Sequence, residues 1–226
     1  MKKIKPQKSY HLSVEGETEE WYFEHLKNLI NHSEDARFRV SFDVKRGKTP
    51  KSVLKSLSLS SYKEAVVFQI CDYESNDGEH TRKFLSALSE LKDIRTECRT
   101  TKCIKEFSLG YSNFTFDLWM ALHKKQFISP VAHRRNYRDF INSAFGTNYQ
   151  YIDEYKNEHE FKSILSKIQL QDVIGAVKNA EDIRKKNEET KQQSEYKGFT
   201  YYRDNPDFTI NIIVKRILMD CRINIL

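Results

Sequence analysis

Two periods of apolar residues run along this chain, and the places where one gives way to the other mark its elements. Tyr10 to Val14 reads as a first strand. Tyr22, Leu26, Leu29 and Ile30 then recur at the spacing that lines one face of a helix. Phe38 to Val44 alternates strictly and predicts a second strand. Beyond the basic turn Lys45-Arg46-Gly47-Lys48-Thr49-Pro50, a short helix carries Val53, Leu54 and Leu57. Ala65 to Cys71 is apolar on both faces apart from Gln69, as in a central parallel strand covered by helices on each side. Phe84, Leu85, Leu88 and Leu91 form the next helical stripe. A fourth strand is predicted around Lys105 to Tyr111, followed by a helix holding Phe116, Trp119 and Leu122. Four strand-helix alternations within about the first 125 residues predict a doubly wound parallel α/β core.

The second half changes character. Tyr137, Phe140, Ile141, Ala144 and Phe145 fit a helix, as do Phe161, Ile164, Leu165 and Ile168, and later Ile210, Ile213, Val214 and Ile217. Arg184 to Lys197 holds almost nothing apolar and reads as a solvated helix end and loop. No Gly/Ser/Pro linker separates the halves. The expected organisation is an α/β core over 1–125 and a helical extension over 126–226 packed against it.

Composition narrows the function classes only modestly. The 226 residues, 38% hydrophobic and 31% charged, suffice for a real core. A net charge of +6 fits a polyanionic partner such as nucleic acid, although many proteins share such a balance. No apolar run approaches the ~20 residues of a membrane helix, and no apolar segment follows the basic start, so the expected location is cytoplasmic and no membrane partner is expected. Cys71, Cys98, Cys103 and Cys221 lack C-x-x-C spacing, and the seven histidines form no zinc pattern. Reduced thiols follow, with Cys71 a small buried hydrophobe.

The chemistry gathers at strand ends. Glu15-Gly16 follows the first strand, where open α/β sheets bind ligands, and Asp72-Tyr73-Glu74 follows the central one. If that strand continues, Asp72 and Glu74 aim to the same side, and Glu15 completes a cluster of three. Three close carboxylates repel unless a cation or shared protons intervene. Oxygen-only ligands suit magnesium or manganese, which can activate water and offset charge on a phosphate. Such acids also serve as plain turn and cap residues, and Glu17, Glu19 and Glu20 suit the positive end of the first helix.

With its Glu15-Gly16, Thr18-Glu19 and Tyr22-Phe23, and Asp72-Tyr73-Glu74 after a hydrophobic strand, the chain resembles the Toprim fold. More narrowly it resembles RloB-type proteins of bacterial phage-defence loci, since Ser112 to His123 is similar to that family's S-N-P-x-F-E-x-W-L-L-L-H segment. Ala176 to Asn187 and Asn205-Pro206 are similar to its closing elements. The resemblance implies a Toprim-like sheet of about four strands with a C-terminal helical extension. It further implies a nuclease-like effector using Mg2+ or Mn2+ on DNA or RNA, encoded beside an ABC-type ATPase partner. It assigns Glu15 to acid/base or metal work and Asp72 and Glu74 to metal binding. The chain departs from the pattern at Glu74, where Toprim proteins usually carry Asp, at Phe114, where the family has proline, and at Asp117, where it has Glu. A non-catalytic phosphate-binding or scaffold subunit that docks an ATPase is the alternative.

Further residues join the candidate set. Arg46 and Lys48, around a flexible Gly47, sit where they can meet a phosphate, and an ordinary basic turn explains them equally. Ser112 and Asn113 read as caps of the following helix, with Asp117 one turn on and able to steady the site from its flank. His123, one turn from Trp119, suits packing more than chemistry. Lys124, Lys125, His133, Arg134, Arg135 and Arg138, with Phe127 and Tyr137 interleaved, could grip a nucleic-acid backbone. Tyr137 heads an apolar stripe and is expected in the core.

Overall fold

The computed structural model describes residues 5–58, 64–101 and 104–225. Strand β1 (Gln7–Val14) is buried from Tyr10 onward, as a strand covered on both faces must be. It pairs in parallel with β2 (Arg39–Arg46) on one side and with β3 (Ala65–Asp72) on the other. Strand β4 (Ile104–Asn113) continues the parallel set beside β3, and the short β7 (Asp207–Phe208) closes the edge antiparallel to β4. The order is β2-β1-β3-β4-β7. This is an α/β fold with a mixed sheet, flanking helices and a C-terminal helical region, consistent with a Toprim-like arrangement. The sheet has five strands where four were read. A two-residue strand of Asp207 and Phe208 is too short to show a period.

Helix α1 (Glu17–His32) packs its Tyr22, Phe23, Leu26 and Ile30 inward, with Phe23 edge-on to Phe42 of β2 at 5.7 Å. Helices α2 (Pro50–Ser58) and α3 (Gly78–Thr101) cover the opposite face, the one shown by Gln69 and Cys71. Helix α4 (Phe116–Leu122) is buried along its whole length, which only a short helix enclosed by other helices can be. Helices α5 (Tyr137–Phe145) and α7 (Leu170–Thr190) pack against it with β4, α6 (Glu158–Ser166) packs on α1, and α8 (Ile210–Asp220) returns to lie on β4. Gly110 of β4 marks that return. A Cβ there would stand 2.7 Å from Ile213 Cδ1 and 3.1 Å from the Ile210 Cα, so only glycine lets α8 approach this closely.

The stretch read as a solvated helix end and loop divides in two. Its first part completes α7, and its second forms β5 (Gln193–Tyr196), which pairs with β6 (Phe199–Tyr202) in a hairpin. Lys197 and Gly198 carry positive φ at its two-residue turn, the conformation that matches the twist of such hairpins. Ser112 and Asn113 belong to β4 and do not cap α4, whose N-cap is Thr115. Asn113 instead donates to the carbonyls of Tyr202 and Arg203, at 2.8 and 3.0 Å, and ties β4 to the hairpin. Among the described residues no helix is long and apolar enough to cross a membrane. Cys71 and Cys221 are free and buried. The side chain of Cys98 and all of Cys103 lie outside the described residues.

Candidate active site at the carboxyl ends of the parallel strands

Four carboxylates from two strand ends and two helix starts lie within reach of one another's charge at the carboxyl edge of the sheet. Glu15 follows β1, Asp72 ends β3, Glu19 lies in the first turn of α1, and Asp117 in the first turn of α4. The Asp72 backbone amide faces the Glu15 carboxylate and favours its charged form. Burial outweighs that help. Glu15 keeps solvent access, yet the surrounding protein, reinforced by the charges of Glu19 and Glu74, pushes its pKa up to about 7. Burial and the charges of Glu15, Glu19 and Asp117 hold the Asp72 carboxyl well above the usual range. Glu19 is raised too, chiefly by burial, with Asp117 adding repulsion.

The local sequence explains why these acids turn inward. Glu19 Oε2 accepts from the Gly16 amide at 3.0 Å and from the Thr18 hydroxyl at 3.1 Å, capping α1 from within. A Cβ on residue 16 would lie 3.1 Å from that oxygen, so the glycine of the Glu15-Gly16 pair gives Glu19 its room. Asp117 is only 3% exposed. It accepts from Thr115 Oγ1 at 2.7 Å and from the Tyr155 hydroxyl, and pairs with Lys156 at 3.1 Å.

Glu74 takes a different course. Strand β3 ends at Asp72, and Glu74 has φ +61°, so the alternation that would aim both acids to one side stops between them. The Glu74 carboxylate engages His80 Nε2 and lies 3.8 Å from Arg134 Nη1, while Asp77 holds the other His80 nitrogen at 2.5 Å. Among the described residues no three His, Cys, Asp or Glu side chains form a group that would hold a metal ion. Glu15, Asp72 and Glu74 do line one small recess, but with Glu74 turned to His80 and Arg134 they do not form such a group.

The basic candidates divide as well. Arg46 is committed to α1, pairing with Glu17 and, at 2.9 Å, with Glu20. Lys48 and Gly47 line a cavity of about 610 Å³ together with Glu15, Gln69, Cys71 and Lys83. Lys124 pairs with Asp172 at 2.6 Å, away from the acids. His123 is a packing residue: it is buried beside Trp119 at 5.1 Å between ring centres, and Nε2 lies 3.2 Å from the Tyr22 hydroxyl. Tyr137 is fully buried. It accepts from the Phe114 amide and donates to the Asn113 carbonyl, across a peptide bond that is cis. Phe127 stacks on Phe140 at 4.3 Å. Three contributors were missed as site residues. Glu19 is expected as a helix-dipole acid and as part of the Toprim-like motif, and the Gly16-x-x-Glu19 spacing of a cap carries the signal for its inward turn. Tyr155 and Lys156 meet the site only through tertiary folding.

In donor chemistry the site suits a hard divalent cation. Every charged donor at its centre is a carboxylate, and Glu19 raises the proton affinity of Glu15 while Glu15 and Glu19 raise that of Asp72, the repulsion a cation relieves. Glu15 and Asp72 lie where a cation could reach both from the cavity, since both line a small recess of about 70 Å³ that opens beside the larger one. No curated protein and no solved structure matches the chain. The model of the RloB-like protein family matches residues 10–217, and the chain belongs to that family.

Proposed function

We propose that this protein is a metal-dependent phosphodiesterase, an endonuclease acting on DNA or RNA, and the effector of a bacterial anti-phage system. The observation that carries the proposal is the acid cluster: Glu15, Glu19, Asp72 and Asp117 crowd at the strand ends of a family associated with the Toprim fold and phage defence. Magnesium or manganese would be held by Glu15 and Asp72, with Glu19 reinforcing the negative field behind them. When bound, such an ion offsets charge on the scissile phosphate and lowers the pKa of water.

The chain's own residues supply the rest. Glu15, exposed at the wall of the cavity, is the carboxylate placed to take the proton from attacking water. Lys48 and Lys83 line the cavity beside Glu15 and bind the phosphate backbone. Asp117, fixed by Thr115, Tyr155 and Lys156, holds the flank of the site in place. Cleavage of single- and double-stranded DNA and RNA with Mg2+ or Mn2+ tests this reading. Glu15→Gln and Asp72→Asn should each lose roughly a hundredfold or more; equal activity in all three proteins overturns it.

The engagement of Glu74 by His80 and Arg134 favours a second reading, a non-catalytic subunit that holds a phosphate-bearing ligand or docks an ABC-type ATPase partner. Ligand or ATPase binding that persists undiminished in EDTA, with no cleavage by the wild type under any condition, selects it.

A further inference from the structure

Resting on the nuclease reading, we infer that the concave surface formed by Arg135, Arg138 and Tyr151 is a docking subsite for single-stranded nucleic acid, with an unpaired base stacked on the Tyr151 ring. These residues, with Gln150, Ile152 and Asp153, line a cavity of about 490 Å³. Tyr151 is 73% exposed, far beyond the usual state of a tyrosine in a folded chain. It lines this concavity together with Arg135 and Arg138. Arg138 shapes the concavity: Nη1 donates to the Gln150 carbonyl at 2.9 Å, and Nε and Nη2 donate to Asp139, which offsets its charge and leaves Arg135 as the cation for phosphate. Arg135 is exposed, and among the described residues its guanidinium has no carboxylate partner. A cation that meets phosphate beside an open aromatic face is what a single strand requires, because an unstacked base offers its π-face whatever its sequence.

The position of this surface ties it to the acids. Arg135 also lines a neighbouring recess with Arg134, His133, His80 and Glu74. Glu74 and His80 in turn line the recess that holds Glu15 and Asp72. A strand laid along these concavities would run from Tyr151 past the guanidinium groups to the acids and on toward Lys48 and Lys83. The 3-10 turn Ile152–Lys156 joins the two ends physically. Tyr151 leads into it facing solvent, and Tyr155 and Lys156 leave it facing Asp117.

Binding of fluorescein-labelled single-stranded RNA, single-stranded DNA and a duplex, measured by anisotropy in EDTA, tests the inference without any cleavage. Tyr151→Ala should weaken single-strand binding roughly tenfold, Tyr151→Phe should leave it near wild type, and duplex binding should barely respond. Arg135→Gln should lower the salt-dependence slope by about 0.7. Equal affinity of Tyr151→Ala and wild type for single strands overturns the subsite, and so does a loss in Tyr151→Phe as large as in Tyr151→Ala. These outcomes are read whether or not the wild type cleaves. A stacking effect in a chain that never cleaves sinks the nuclease reading and leaves the subsite standing.

Discussion

Lys156 Nζ lies 3.1 Å from Asp117 Oδ2, and this pair pins the turn after residue 151 to the first turn of α4, beside Asp72. The Asp117 side chain is 4% exposed and that of Lys156 34%, so removing the ammonium leaves a buried carboxylate with only hydroxyl partners. Lys156→Met should destabilise the fold by about 2 kcal/mol, less than for a fully buried pair because the lysine is partly solvated. The double variant Lys156→Met/Asp117→Asn should recover much of that loss in urea unfolding. A single variant as stable as wild type would show that the pair contributes nothing.

His123 supplies a pH dependence. Burial depresses its pKa to about 4 from an ordinary 6.5, despite its hydrogen bonds to the Trp119 and Met120 carbonyls. Between those values the unfolded chain binds more protons than the folded one, so stability is complete above about 6.5 and is lost as the pH falls toward 4. The loss attributable to this group should reach about 3 kcal/mol. His123→Gln should flatten the stability profile in that window when unfolding is followed at pH 4.5 and 7. An unchanged slope would contradict the assignment.

Gly110 gives a packing test. Gly110→Ala pushes a methyl group against Ile213, Ile70 and the Ile210 backbone, and overpacking of this kind costs about 1–3 kcal/mol. Thermal unfolding should show a fall of several degrees. No change would mean that α8 is free to move outward.

The elements of the first half were legible because each buries a periodic face. The alternation of residues 38–44 became β2, and the apolar run from Ala65 became the central β3. Three features escaped that logic. The edge strand β7 and the β5–β6 hairpin are short and carry many polar residues, so neither shows a period. Ser112 and Asn113 are residue types that cap helices, but pairing with Phe208 and Asp207 extends β4 through them. At the site, Glu15 and Asp72 were legible as acids at strand ends. The turn at Glu74 was not, because a positive φ on a glutamate leaves no mark in composition. The part played by Tyr155 and Lys156 is set by how the second half folds over the first, which periodicity does not encode.

The acid cluster should be felt in stability before any chemistry is assayed. Asp72 is held protonated well above its ordinary range by burial and by Glu15 and Glu19, so Asp72→Asn should raise the melting temperature in EDTA by a few degrees. Glu15 is shifted from 4.5 to about 7, and the folded chain binds more protons across that interval. Its contribution to stability is therefore present below about 4.5 and is lost as the pH rises through about 7. Millimolar Mg2+ should oppose that loss in the wild type and do little for Asp72→Asn. Identical melting of both proteins with and without Mg2+ would contradict the account.

The most direct measurement is anomalous diffraction from crystals soaked in Mn2+. The account predicts a manganese peak within coordinating distance of both the Glu15 and Asp72 carboxylates, absent from Asp72→Asn crystals. Well-ordered Glu15 and Asp72 side chains with no ion between them at saturating Mn2+ would contradict it.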